Sequence, residues 1–123
     1  MYIFYNANPK KIRTEDCVTR AIFVATGGSL KYEAVASLLQ LTADEFKCPK
    51  LCVCCYHHLL EDILHYECRE CSKDERVKDI AKRYRGERLL IRIDGHLTCS
   101  LYGNVVDTWD CSYEKADCFW IIK

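Results

Sequence analysis

The spacing of apolar residues changes character once along the chain, near Gly86. Before that point apolar positions recur every three or four residues, the period of a helix with one buried face. After it they alternate or run in short blocks, as strands do. Val18, Ala21, Ile22 and Ala25 predict a first helix. Thr14-Glu15-Asp16 supplies capping and acidic residues ahead of it, and Gly27-Gly28 stops it. Ser29 is placed to cap a second helix with Ala34, Val35, Leu38 and Leu39 on one face. Thr42 and Glu45 predict a capping box for a separate short helical turn, bounded by Pro49. A third helix is expected from about Cys52 to Tyr66, with Val53, Tyr56, Leu60, Ile63 and Leu64 inward. Ser72 and Glu75 predict another capping box, ahead of a face made by Val77, Ile80, Ala81 and Tyr84.

Beyond Gly86, Leu89 to Ile93 reads as a strand, and His96 to Tyr102 alternates polar with apolar. Gly103-Asn104 signals a turn. Val105 to Trp109 and Cys118 to Ile122 complete the series, with Met1 to Tyr5 as an added N-terminal strand. Helices first and an antiparallel meander second predict an α+β fold, with N-terminal helices packed on a C-terminal antiparallel β-meander. At 123 residues, without a Pro- or Gly-rich linker or a repeat, a single domain over 1–123 is expected.

Charge and composition narrow the function classes. Eighteen basic and 18 acidic residues cancel, which removes the electrostatic basis for a nucleic-acid or anionic-membrane partner. No apolar run approaches the ~20 residues that span a bilayer, and Met1 to Asn6 has no signal-peptide character. A cytoplasmic protein is expected. Ten cysteines would suit a disulfide scaffold in a small secreted chain. Their clustering and the missing secretion signal fit free thiols in a reducing compartment instead.

Cys17 falls in the first turn of a predicted helix, where unpaired N–H groups and the dipole favour a thiolate. The alternative is a small buried residue near a helix start. A nucleophile needs a base. His57 and His58 lie mid-helix and His65 at a helix end, but His96 opens a strand directly after Asp94-Gly95. A third group would orient the imidazole, and the next strand offers Asp107 and Asp110. A three-residue Tyr102-Gly103-Asn104 loop puts Asp110 directly across from His96 and leaves Asp107 about 10 Å away at strand rise. A two-residue Gly103-Asn104 turn pairs position 96 with 111. Hairpin geometry therefore selects Asp110, with Asp107 in reserve. Arg20, one turn after Cys17, is either a solvated helix charge or a contact for a substrate carboxylate.

Asp16-Cys17-Val18-Thr19-Arg20-Ala21-Ile22, with Asn8-Pro9 upstream, Gly95-His96-Leu97-Thr98-Cys99, and Gly103 to Asp110 ending in Asp107-Thr108-Trp109-Asp110, resemble a known pattern, as does the closing Phe119-Trp120. They resemble the small papain-like cysteine peptidases encoded mainly by phages and their bacterial hosts. The resemblance implies a papain-like fold, Cys17 as nucleophile, His96 as general base and Asp107 or Asp110 as the orienting residue. It implies a peptide or amide substrate and an acyl-enzyme thioester, with no cofactor. Asp107-Thr108-Trp109 echoes the family's orienting segment, so motif and hairpin arithmetic favour different aspartates. The family places a Gln ahead of the nucleophile to support the oxyanion, and here that stretch holds Lys11 and no Gln. The Cys17 N–H is then one oxyanion donor, with Asn6 or Asn8 as a second. The missing Gln leaves open a non-catalytic papain-like binding module, of viral or mobile-element origin, that acts on a host partner.

Six cysteines between Cys48 and Cys71 have no part in this scheme. Cys68-Arg69-Glu70-Cys71 has the C-x-x-C spacing of a tetrahedral zinc site, with Cys48, Cys52, Cys54 and Cys55 available for a second pair. Structural zinc there stands beside free thiols as a reading. Trp109 is positioned to shield a His–Asp pair from water, and Cys99, Cys111 and Cys118 read as packing residues.

Overall fold

The computed structural model describes residues 1–12, 16–50 and 52–123. Its centre is one six-stranded sheet. The strands are β1 (Tyr2–Phe4), β2 (Glu67–Glu70), β3 (Arg88–Ile93), β4 (His96–Leu101), β5 (Asn104–Asp107) and β6 (Ala116–Ile122). Their spatial order is β1-β5-β4-β3-β6-β2. Helices α1 (Cys17–Ala25), α2 (Tyr32–Phe46) and α3 (Val53–His57) precede β2, and a π-helical segment (His58–Ile63) continues α3. Helix α4 (Val77–Arg83) lies between β2 and β3. The architecture is α+β. The sheet is mixed, however, because β1 runs parallel to β5. Only β3, β4 and β5 form the expected meander. Strand β6 returns to the far side of β3, and β2, which the sequence did not lead one to expect, pairs outside β6.

Each sheet face has its own core. On one, Val18, Ile22, Val35, Leu39, Leu59 and Leu60 from α1, α2 and the π-segment bury against Leu90, Leu97, Cys99 and Trp120. On the other, Val77, Ile80 and Ala81 of α4 pack on Leu89, Ile91, Val105, Phe119 and Ile121. Neighbouring strand residues thus enter different cores, which is why Leu89-Leu90-Ile91 is apolar without alternation.

Several local readings change. Thr42 starts no new helix: α2 is continuous, and the Thr42 hydroxyl donates to the Leu38 carbonyl at 2.7 Å. Ser29 donates to the Thr26 carbonyl at 2.9 Å, and α2 begins at Tyr32 after Lys31. The third helix stops at Ile63, short of Tyr66. Glu75 accepts the Ser72 N–H at 2.8 Å in a turn ahead of α4, whose own start is closed by Asp79 accepting the Arg76 N–H at 3.0 Å. Strand β5 ends at Asp107 rather than Trp109. Thr14 and Glu15, read as capping residues, lie outside the described residues.

Candidate active site

The β4–β5 hairpin decides which aspartate meets His96. Leu101 pairs with Asn104, Ser100 with Val105 and Cys99 with Val106. The turn is therefore the two-residue Tyr102-Gly103, with φ of 51° and 90°. Two positive φ values in succession are the mark of a primed turn, whose twist matches the strands. Glycine suits the second position, because L side chains rarely adopt a φ of 90° and an added Cβ would lie a tight 3.0 Å from the Arg85 Cβ. Neither turn expected from the sequence has this register. Extended by one step it sets Asp107 opposite Thr98, diagonal to His96 on the same face, a separation that these side chains can bridge.

Asp107 Oδ2 lies 2.7 Å from His96 Nε2. Asp110 takes no part. It is exposed, and its Oδ1 accepts the Ser112 N–H at 3.1 Å in the loop after β5. The selection of Asp110 from hairpin arithmetic is thus overturned by the one-residue difference in turn position.

Cys17 is the first residue of α1, and the helix packs over the start of β4. Its thiol sits beside the His96 side chain and the Leu97 backbone N–H, both of which favour the thiolate. Because Nε2 of His96 is committed to Asp107, Nδ1 is the nitrogen left for sulfur. The Trp109 ring lies 5.2 Å from the imidazole, tilted across it. A small cavity beside the thiol is lined by Tyr5, Cys17, Arg20, Ala21, Val24 and Asp107. A larger groove lined by Lys78, Lys82, Arg85 and Asp110 includes neither Cys17 nor His96. The chemistry is therefore placed by the side chains, not by groove size.

The protonation states follow from these contacts. Burial alone would raise the Cys17 thiol. The neighbouring His96 side chain, the Leu97 N–H and the charges of His96 and Arg20 outweigh it and hold the thiol below its ordinary value. Burial would lower His96, but its bond to Asp107 and the neighbouring Cys17 raise it to about 9. For Asp107, burial is outweighed chiefly by His96, so the carboxyl stays below its ordinary range. All three shifts favour a thiolate–imidazolium pair anchored by a carboxylate.

A buried polar chain behind this group was not anticipated. Asp16 forms an ion pair with Arg20 and accepts hydrogen bonds from the Tyr32 hydroxyl and, at 3.0 Å, from Asn8 Nδ2. Arg20 reaches on to Asp107 Oδ1 at 3.9 Å and to Thr108 Oγ1 at 3.5 Å. The Asp107 carboxylate also accepts the Thr108 N–H at 2.7 Å. Arg20 is therefore neither a solvated charge nor free for a substrate carboxylate, since its side chain is only 11% exposed. It ties α1 to the end of β5 and so fixes the sulfur-bearing helix relative to the aspartate. Part of this was readable: Asp16 and Arg20 stand four apart, the spacing of an ion pair on one helix face. Asn8 and Tyr32 carry no comparable sequence signal.

Two further expectations change. Asn8 and Asn6 are both committed within the N-terminal loop, Asn8 to Asp16 and Asn6 to the Ile12 carbonyl at 3.2 Å and the Asn8 N–H at 3.0 Å. Neither side chain is free as an oxyanion donor. Lys11 Nζ binds the Asn6 carbonyl at 2.7 Å. The Cys17 N–H remains a donor, since the first position of a helix has no intrahelical acceptor. Cys111 is more than packing: its thiol, pushed up to about 12 chiefly by burial, stays protonated 3.8 Å from Asp107 Oδ2. His96, Asp107 and Cys111 are close enough to share an ion. That use would take Nε2 from the carboxylate that now holds it.

The C-x-x-C pair of Cys68 and Cys71 does not converge. Three residues apart along extended chain, Cys68 packs into the α1–α3 core and Cys71 into the α4 core, on opposite faces of the sheet. Comparison with known proteins gives no match to any family model, curated protein or solved structure.

The buried Arg20 chain makes a stability prediction. Arg20→Gln should destabilise the fold by about 3 kcal/mol, because it strands a buried Asp16 carboxylate. Adding Asp16→Asn should recover part of that loss, since no buried charge then remains unpaired. Urea unfolding of both variants checks this. Equal losses in the single and double variants would contradict an ion-pair role.

Proposed function

We propose that this chain is a cysteine peptidase or amidohydrolase of papain-like type, working through a Cys17–His96–Asp107 triad and a thioester acyl-enzyme. The observation that carries the reading is Cys17 at a helix start beside His96, whose Nε2 is held 2.7 Å from Asp107 Oδ2 with the Trp109 ring across the imidazole. A thiol at a helix start, a base on a neighbouring strand and an orienting carboxylate are the parts that activated-nucleophile chemistry needs. A binding-only module has no need for Cys17 and His96 side by side.

In the proposed cycle the Cys17 thiolate attacks an amide carbonyl carbon. A C–S bond forms and the carbonyl electrons move onto oxygen, facing the Cys17 N–H. As the oxyanion collapses, the C–N bond breaks and His96 passes its Nδ1 proton to the departing amine. Neutral His96 then takes a proton from water, whose oxygen attacks the thioester. The acid leaves and the thiolate–imidazolium pair returns. Asp107 holds the ring through Nε2–H in every step and is not protonated.

The pH dependence tests this. His96 must be protonated at the start, so hydrolysis should fall as pH rises through about 9. Alkylation of Cys17 needs only the thiolate, so it should begin below the ordinary thiol range and persist through pH 9 and above. The two profiles, measured on a peptide-amide library and with iodoacetamide, should diverge on the alkaline side. If alkylation of Cys17 rises only around the ordinary thiol value, the ion pair is absent and the proposal fails.

A further inference from the structure

Apart from Cys17, three other cysteines converge on one point of the surface. Cys48 follows Lys47, the residue that closes α2 in a left-handed conformation with φ of 53°. Cys52 is the cap of α3, and Cys54 is in its first turn. The sulfurs of Cys48, Cys52 and Cys54 all lie within 4.8 Å of one another. Sulfurs that share a metal at about 2.3 Å stand about 3.8 Å apart around a tetrahedral centre. The existing triangle therefore needs only a small contraction to close on an ion.

One backbone donor already faces the triangle. The Cys55 backbone N–H donates to Cys52 Sγ at 3.4 Å, an outer contact of the kind that orients a metal-bound sulfur. Cys55 itself is fully buried, and its thiol donates to the Leu39 carbonyl at 3.4 Å. That bond engages Cys55 in the core, and Cys48, Cys52 and Cys54 are the three sulfurs close enough to share one ion. Cys54 is exposed, so the triangle is open to solvent on one side.

We infer that Cys48, Cys52 and Cys54 form a three-thiolate site for a thiophilic d10 cation, copper(I) or zinc(II). Three sulfurs complete a trigonal copper(I) site, whereas zinc takes a solvent molecule as its fourth ligand. Binding releases the three thiol protons to solvent and involves no change of oxidation state. The bound ion would pin the link between α2 and α3 at both ends. This site is separate from Cys68 and Cys71, and it does not depend on Cys17 chemistry.

The test uses the whole chain, reduced and stripped of metal, then titrated anaerobically with copper(I), zinc(II) or cobalt(II) as a zinc reporter. The expected result is one equivalent retained through gel filtration, with a sulfur-to-cobalt charge-transfer band. X-ray absorption should count three sulfurs, alone around copper or with one light ligand around zinc. Cys48→Ser/Cys52→Ser/Cys54→Ser should reduce the bound equivalent to none, while Cys68→Ser/Cys71→Ser keeps it. Circular dichroism and Cys17 alkylation should be unchanged in the triple variant, which separates loss of ligands from loss of fold. Failure to retain either ion, a count of two or four sulfurs, or retention by the triple variant would overturn the assignment.

Discussion

Cys17→Ala is expected to abolish both amide hydrolysis and labelling by a peptidyl electrophile, with rates falling on the order of 10⁴-fold or more. The size of the effect follows from the role: among the described residues no other group near His96 offers a comparable nucleophile, since Cys111 is a buried thiol held in protonated form. The remaining nine cysteines make the experiment discriminating. Cys54 is exposed and will react with any thiol reagent given time. At pH 6 an ordinary thiol with a pKa of about 8.5 is less than about 1% ionised. Cys17, held below its ordinary value by His96, should then dominate the reaction. Mass spectrometry of the peptides carrying Cys17 and Cys54 reads the outcome. Undiminished labelling in Cys17→Ala, mapped to another cysteine, would sink the proposed role.

Asp107→Asn should lower turnover by roughly 10²- to 10⁴-fold, the range for losing an orienting carboxylate in a triad. The asparagine can still touch the ring, but it removes the charge that helps to raise His96 to about 9. The alkaline limb of hydrolysis should therefore move to lower pH as well as lower height. Asp110→Asn should leave both within about twofold, because its carboxylate caps a loop and faces solvent. The comparison separates two readings of one hairpin. If Asp110→Asn were the damaging change, the hairpin in solution would have the three-residue loop and not the Tyr102-Gly103 turn.

The other outcomes distinguish separate ideas. A fall in hydrolysis near pH 9 with sustained alkylation speaks to the ion pair. Recovery of stability in the Asp16→Asn/Arg20→Gln variant speaks to the chain behind it. Metal retention at Cys48, Cys52 and Cys54 stands or falls without either.

The sequence by itself determined most of the elements and two members of the candidate site. Apolar spacing located α1, α2, α4 and the strands from Leu89 onward, because each element must bury its own face, and that requirement repeats locally. It also singled out Cys17 and His96, since a helix start and a strand start are local features. What depended on contacts across the chain was not legible. Strand β2 was hidden because its short polar run, Glu67 to Glu70, is held by pairing with β6 and not by its own pattern. The choice between Asp107 and Asp110 rested on one residue of turn register. Period-two geometry moves every side chain when register slips by one, and Tyr102 accepts a positive φ that its residue type does not advertise. The separation of Cys68 from Cys71 and the convergence of Cys48, Cys52 and Cys54 have the same origin. Spacing along a chain becomes distance only after the fold has chosen helix, strand or turn between the residues.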